Sequence, residues 1–122
     1  ISNCYAEGNV VAGKEIFKKC ATCHTITNDA GETLFMGGDI GPNLYKVIGR
    51  QAASVDDYTY SPSLKQLGET GFIWDEAHMV QWLLDPKKFL KKTLDDRKAK
   101  SKMIFKTKEG RADVAAFLKH FK

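Results

Sequence analysis

The apolar positions of this chain repeat at helical spacing. Val114, Phe117, Leu118 and Phe121 stand at i, i+3, i+4 and i+7, which predicts a terminal helix with one buried face. Near the other end, Val10, Ile16, Phe17 and Cys20 mark an amphipathic helix over residues 10–20, with Gly13 inside it. A glycine there costs about 1 kcal/mol relative to alanine, so its presence predicts close approach by another element. Met79, Trp82 and Leu83 share a face of a helix predicted over about 76–84, with Asp75 as its N-cap. Asp85-Pro86 ends that helix and opens another, Asp85 capping and Pro86 in the first helical position. Residues 27–43, "TNDAGETLFMGGDIGPN", are rich in Gly, Asp and Asn and read as a loop. "VIGR" ends a short piece at Arg50, residues 51–73 hold scattered turn signals including Ser61-Pro62, and 95–108 read as charged and irregular. No strand pattern, repeat or domain linker emerges. The prediction is one all-α domain with long loops.

Composition adds two constraints. A chain of 122 residues, 43% hydrophobic and rich in aromatics, fits one small globular domain. Helices this short are marginal alone and need a further apolar surface to pack on. No apolar run approaches the roughly 18–20 residues that span a bilayer. No basic-then-apolar leader is present, so a signal peptide is expected to have been removed or never to have existed. The net charge of +4 is concentrated in Lys87, Lys88, Lys91, Lys92, Lys98, Lys100, Lys102, Lys106 and Lys108. Such a block suits an acidic partner, an anionic surface or nucleic acid, or is simply a solvated face.

Residues 18–26, "KKCATCHTI", carry the chemistry. Cys20 and Cys23 form a C-x-x-C pair, with His24 next. A structural zinc site needs a second ligand pair, and only His78 and His120 remain, far apart. An iron–sulfur cluster needs four thiolates, whereas the chain has three cysteines. A thioredoxin-type pair wants a strand before it, and here a helical pattern precedes. C-x-x-C-H is the attachment signature of c-type haem: both thiols add across the vinyl groups and the histidine becomes the proximal iron ligand. The second axial position then decides function. An open site permits gas binding or peroxide chemistry, whereas a methionine sulfur closes it and favours ferrous iron. Met36, Met79 and Met103 are the candidates. Met79 shares an apolar helix face with Trp82 and Leu83 and suits core packing. Met36 lies in the glycine-rich loop. Met103 sits in an irregular segment, which can wrap a sulfur onto iron without breaking helix hydrogen bonds, and spacing favours it.

The run "CATCHTI", "GPNLYKVIGR", Trp74, "DPKKFL", "KMIF" and "RADVAAFL", in that order, resembles the class I c-type cytochromes, the family of mitochondrial cytochrome c and bacterial cytochrome c2. The resemblance covers Gly13 to Leu118. It implies the cytochrome c fold, with N- and C-terminal helices crossed around one covalently bound haem, as a single domain over 1–122 with 1–9 as an extension. It implies His24 and Met103 as iron ligands and the Pro42 carbonyl as hydrogen-bond acceptor for His24. Gly13, Phe17 and Phe117 match the packing of the two terminal helices. Arg50, Tyr60 and Trp74 match residues around the haem propionates; otherwise they are a surface cation and two core aromatics. The implied function is one-electron transfer, not enzymatic, from a cytochrome bc-type complex to a cytochrome c oxidase or photosynthetic reaction centre. The setting would be periplasmic, as a soluble monomer or as the haem domain of a membrane-tethered carrier. Lys18, Lys19, Lys87, Lys88, Lys102 and Lys106 would then face acidic docking surfaces, with no nucleic acid involved.

Departures from the family pattern are equally specific. The His24–Pro42 and Pro86–Met103 segments are longer than in mitochondrial relatives and resemble the long bacterial cytochromes c2. Residue 82 is Trp where the family usually has a Tyr near the methionine sulfur, and Leu64 stands where Asn is often found. Cys4 lies ahead of the haem domain; "ISNC" is a poor lipobox, and an inert thiol or half of an adventitious intermolecular disulfide fits it better than a lipid anchor. The rival reading is a haem sensor or peroxidase-like enzyme with an open or labile sixth site. A peroxidase would want a distal His or Arg, and the spare His78 and His120 are expected to face solvent.

Overall fold

The computed structural model describes residues 8–121; Cys4 lies outside them. The helix α1 spans Val10–Cys20 and is capped by the Asn9 side chain, which accepts from the Ala12 amide at 2.9 Å. The last helix, α5, spans Arg111–Lys119. Their crossing explains Gly13. A Cβ at that position would lie 2.0 Å from the Asp113 carbonyl oxygen, so only glycine lets the two backbones come this close. Phe17 of α1 and Phe117 of α5 meet with ring centroids 5.2 Å apart. Phe121 has the right spacing for the helix but falls beyond its end, at half-burial, with its ring against Phe117 at 5.2 Å.

Three more helices complete the helical part of the fold. The helix α3, Glu76–Leu84, takes Asp75 as N-cap and buries Met79, Trp82 and Leu83 as expected. Asp85 caps α4, Pro86–Thr93, with Pro86 in its first turn. The helix α2, Pro62–Glu69, corrects the reading of 51–73 as turns. Ser61 accepts from the Leu64 amide and Pro62 opens the helix, the same device as Asp85-Pro86. Leu67 and Gly68 are its buried residues, too few for the apolar periodicity to stand out. The expectation of no strands is also corrected: β1 (Ile26–Thr27) and β2 (Thr33–Phe35) pair antiparallel within the glycine-rich stretch. The Asn43 side chain pins this hairpin, accepting from the Thr27 amide and donating to the Thr27 carbonyl. Phe35 then sets its ring edge-on to Phe17 at 5.0 Å.

Trp74 and Arg50 are held together by their backbones: the Trp74 amide donates to the Arg50 carbonyl at 3.0 Å, and the Gly49 amide to the Trp74 carbonyl at 2.7 Å. Trp74 in turn packs on Trp82 at 5.4 Å and Phe89 at 5.8 Å. No helix among the described residues is long and apolar enough to cross a membrane.

Candidate cofactor site

The helices and loops enclose a cavity of about 850 Å³ with a mainly apolar wall, within the range of about 300–1,000 Å³ usual for ligand sites. Cys20 and Cys23 enter it from the end of α1. A tight turn follows, in which the Cys23 and His24 amides both donate to the Cys20 carbonyl at 3.0 Å. This turn carries Cys20, Cys23 and His24 to one wall. Both cysteines are free and half-buried. Burial pushes the Cys20 thiol up to about 11, with the neighbouring Cys23 acting the same way, so Cys20 is held as a neutral thiol.

His24 is 9% exposed. Its Nδ1 lies 2.8 Å from the Pro42 carbonyl oxygen. That oxygen can only accept, so Nδ1 carries the proton and Nε2 keeps its lone pair. Burial lowers the imidazole pKa from its ordinary value; the Pro42 hydrogen bond opposes this, and the charge of Arg50 adds to it. The neutral, metal-ligating form is therefore the resting one. Gly41 makes the arrangement possible, because a Cβ there would sit 2.3 Å from the His24 Cε1 atom.

Arg50, Tyr60 and Trp74 line the cavity too. Arg50 donates from Nη1 to the Tyr45 carbonyl at 3.0 Å. Burial lowers its pKa, with Tyr60 acting the other way. None of the ion pairs among the described residues includes Arg50. A half-buried guanidinium without a carboxylate partner suits an anionic group in the cavity. The Tyr60 hydroxyl accepts from the Val55 amide at 3.1 Å, which leaves its own proton to donate.

The methionines separate. Met36 is 77% exposed and lies off the cavity wall, whereas Met79 and Met103 line it. Met79 is buried within α3, and Met103 is half-buried in the irregular segment before α5. Trp82 and Leu64 also contribute to the wall. His78 and His120 do not. His78 is only half-exposed, its ring set against Phe72 at 4.9 Å and its Nδ1 2.8 Å from an Asp75 carboxylate oxygen. The nine site residues expected from the sequence thus surround one cavity. Sequence reasoning missed Tyr58, which lines the cavity and donates its hydroxyl to the Ile40 carbonyl at 3.1 Å. Its position in a loop of turn residues carried no periodic signal.

A neutral buried imidazole, two thiols beside it, a guanidinium outside the ion pairs of the described residues and an apolar interior together fit a haem attached through C-x-x-C-H. Comparison with known proteins agrees. Residues 10–122 match the family described as Cytochrome c. The chain is 48% identical over 114 residues to cytochrome c-551 of Roseobacter denitrificans, covering 93% of this chain and 81% of that one. The structure of cytochrome c2 from Rhodobacter capsulatus superposes with a TM-score of 0.90 at 43% identity, covering 91% of this chain and 96% of the other. Ferric cytochrome c-550 from Paracoccus versutus gives a TM-score of 0.91 at 38% identity, covering 94% and 98%.

Proposed function

This chain belongs to the cytochrome c family, as an electron carrier of the class I bacterial cytochrome c2 type with one covalently attached haem c, and on that premise we propose that it shuttles single electrons with His24 and Met103 as the two iron ligands. Cys20 and Cys23 form the thioethers. The observation that carries this reading is that one cavity has both His24 and, on a segment free of helix, Met103 in its wall. When bound, the haem supplies a one-electron couple at its iron. The protein's part is to hold that couple still. Pro42 and Gly41 fix the plane and tautomer of His24. Arg50 and Tyr60 offer donors to the haem carboxylates, and Trp74 and Trp82 keep the interior dry. Two ligands that stay bound in both redox states leave little to reorganise on transfer.

The partners proposed are a cytochrome bc-type complex as donor and a terminal oxidase or photosynthetic reaction centre as acceptor, in the periplasm, for a single domain over 1–122. The test is the ferric absorption spectrum, in which a band near the red edge reports sulfur bound to iron. Met103→Ala is expected to abolish that band, open the iron to carbon monoxide in the ferrous protein and lower the potential. Met79→Ala and Met36→Ala are expected to keep the band. Loss of the band in Met79→Ala alone would move the ligand into α3, and a wild-type protein without the band would favour a sensor or peroxidase-like reading.

A further inference from the structure

The turn that carries Cys20, Cys23 and His24 is strapped down by residues 37–44, which run along it and tie to every second residue beyond α1. The Gly38 amide donates to the Ala21 carbonyl at 2.8 Å, the Gly41 amide to the Cys23 carbonyl at 2.7 Å and the Leu44 amide to the Thr25 carbonyl at 3.2 Å. The Asn43 side chain pairs with the Thr27 backbone. One side chain answers from the turn: Thr25 Oγ1 donates to the Gly38 carbonyl at 3.0 Å. The fit is tight. A Cβ on Gly37 would lie 2.0 Å from the His24 carbonyl oxygen and 2.5 Å from that of Ala21, and one on Gly38 would lie 2.3 Å from that of Thr22. These neighbours are backbone atoms and cannot turn aside. Pro42, whose carbonyl oxygen lies 2.8 Å from His24 Nδ1, belongs to the same strap. It is flanked by the bonded residues Gly41 and Asn43, so its carbonyl moves with the strap.

We propose that Gly37 and Thr25 are positioning residues: the close seat of Gly37 on the attachment turn and the Thr25–Gly38 bond hold residues 37–44 in place, and so keep the Pro42 carbonyl on His24. The proposal rests on His24 as an iron ligand. A well-formed hydrogen bond from Nδ1 fixes the ring and raises the basicity of Nε2, which favours ferric iron. A strap that sits further from the turn weakens this bond. Two consequences follow from the same displacement. The reduction potential rises, because the imidazole donates less to the iron. The Nδ1 proton exchanges with solvent faster, because exchange proceeds from the form in which the strap has lifted.

The test is solvent exchange of the His24 Nδ1 proton, followed by NMR in the ferrous holoprotein, together with the reduction potential. Thr25→Val keeps the shape of the side chain and removes its hydrogen bond; it is expected to speed exchange about three- to tenfold, the weight of one such bond. Gly37→Ala is expected to speed exchange further and to raise the potential. Thr25→Val decides the matter even where Gly37→Ala does not fold. Gly31→Ala is the control. Its φ of 84° strains any side chain at the tip of the same hairpin, yet a Cβ there meets nothing within 4 Å, so both readings are expected to stay at wild type. If Thr25→Val exchanges like wild type, or Gly31→Ala moves exchange and potential as far, the strap is overturned while His24 stands. If the iron-bound histidine resonances of the wild-type protein do not belong to residue 24, the assignment of His24 fails and the strap with it.

Discussion

Trp82 is the residue at which this chain departs most informatively from its family. It is buried, lines the same cavity as Met103, and is wedged between Trp74 at 5.4 Å and Phe89 at 5.9 Å. Its indole has one N–H donor and no acceptor. A donor near a ligating thioether withdraws electron density and favours ferrous iron, one of the levers that tunes a haem potential. A net hydrogen bond of about 0.5–1.5 kcal/mol corresponds to roughly 20–65 mV for a one-electron couple. Trp82→Phe is therefore expected to lower the potential by about that much while retaining the sulfur–iron band. Protein-film voltammetry reads this directly; an unchanged or higher potential would make Trp82 a packing residue only.

Among the elements, the α1–α5 crossing matters most, because α1 delivers the attachment turn to the cavity. Its distance is set by Gly13 against the Asp113 backbone, with Phe17 and Phe117 filling the space beside it. Gly13→Ala would gain about 1 kcal/mol of helix propensity. The added methyl would lie 2.0 Å from a carbonyl oxygen and 2.9 Å from the Phe117 Cβ, and overpacking of this kind costs about 1–3 kcal/mol or more. Because the nearest atom is backbone and cannot rotate away, the upper end applies, and a net loss of about 2 kcal/mol is expected. Guanidinium denaturation of the holoprotein measures it. A midpoint equal to or above wild type would show that the helices can slide apart at no cost.

At the scale of the whole molecule, the net charge of +4 is unevenly used. Lys19 and Lys102 border the cavity, the face through which the proposed function would pass an electron. Lys119, at the end of α5, lies 3.0 Å from a Glu76 carboxylate oxygen and off the cavity wall. Attraction between exposed charges is screened over about 10 Å at 0.1 M salt and about 30 Å at 0.01 M. The second-order rate of electron transfer to an acidic redox partner is thus expected to fall steeply as salt rises. Lys19→Glu should lower that rate more than Lys119→Glu, and stopped-flow measurement across ionic strength checks both. A flat salt profile would remove the lysine surface from the docking step.

Much of this protein is determined within a few residues of sequence. Asp75 and Asp85 open their helices by accepting from amides of the first turn, Pro86 suits the first helical position through its fixed φ, and Val114, Phe117 and Leu118 define a buried face by spacing alone. Cys20, Cys23 and His24 share one turn because their own amides close it. These features are local, so the order of residues suffices to find them. The tertiary structure decided what depends on distant partners. The β1–β2 hairpin needs the Asn43 side chain and the face of Phe17, so its glycine-rich sequence reads as loop. The helix α2 needs Leu67 and Gly68 to meet a buried surface. That Met79 and Met103 reach the cavity wall while Met36 does not, and that Lys102 ties to Thr59 across 43 positions, arises from loops closing over a shared apolar interior. Hydrogen bonds and burial between residues far apart leave no period in the sequence, and they become legible only when the chain has folded.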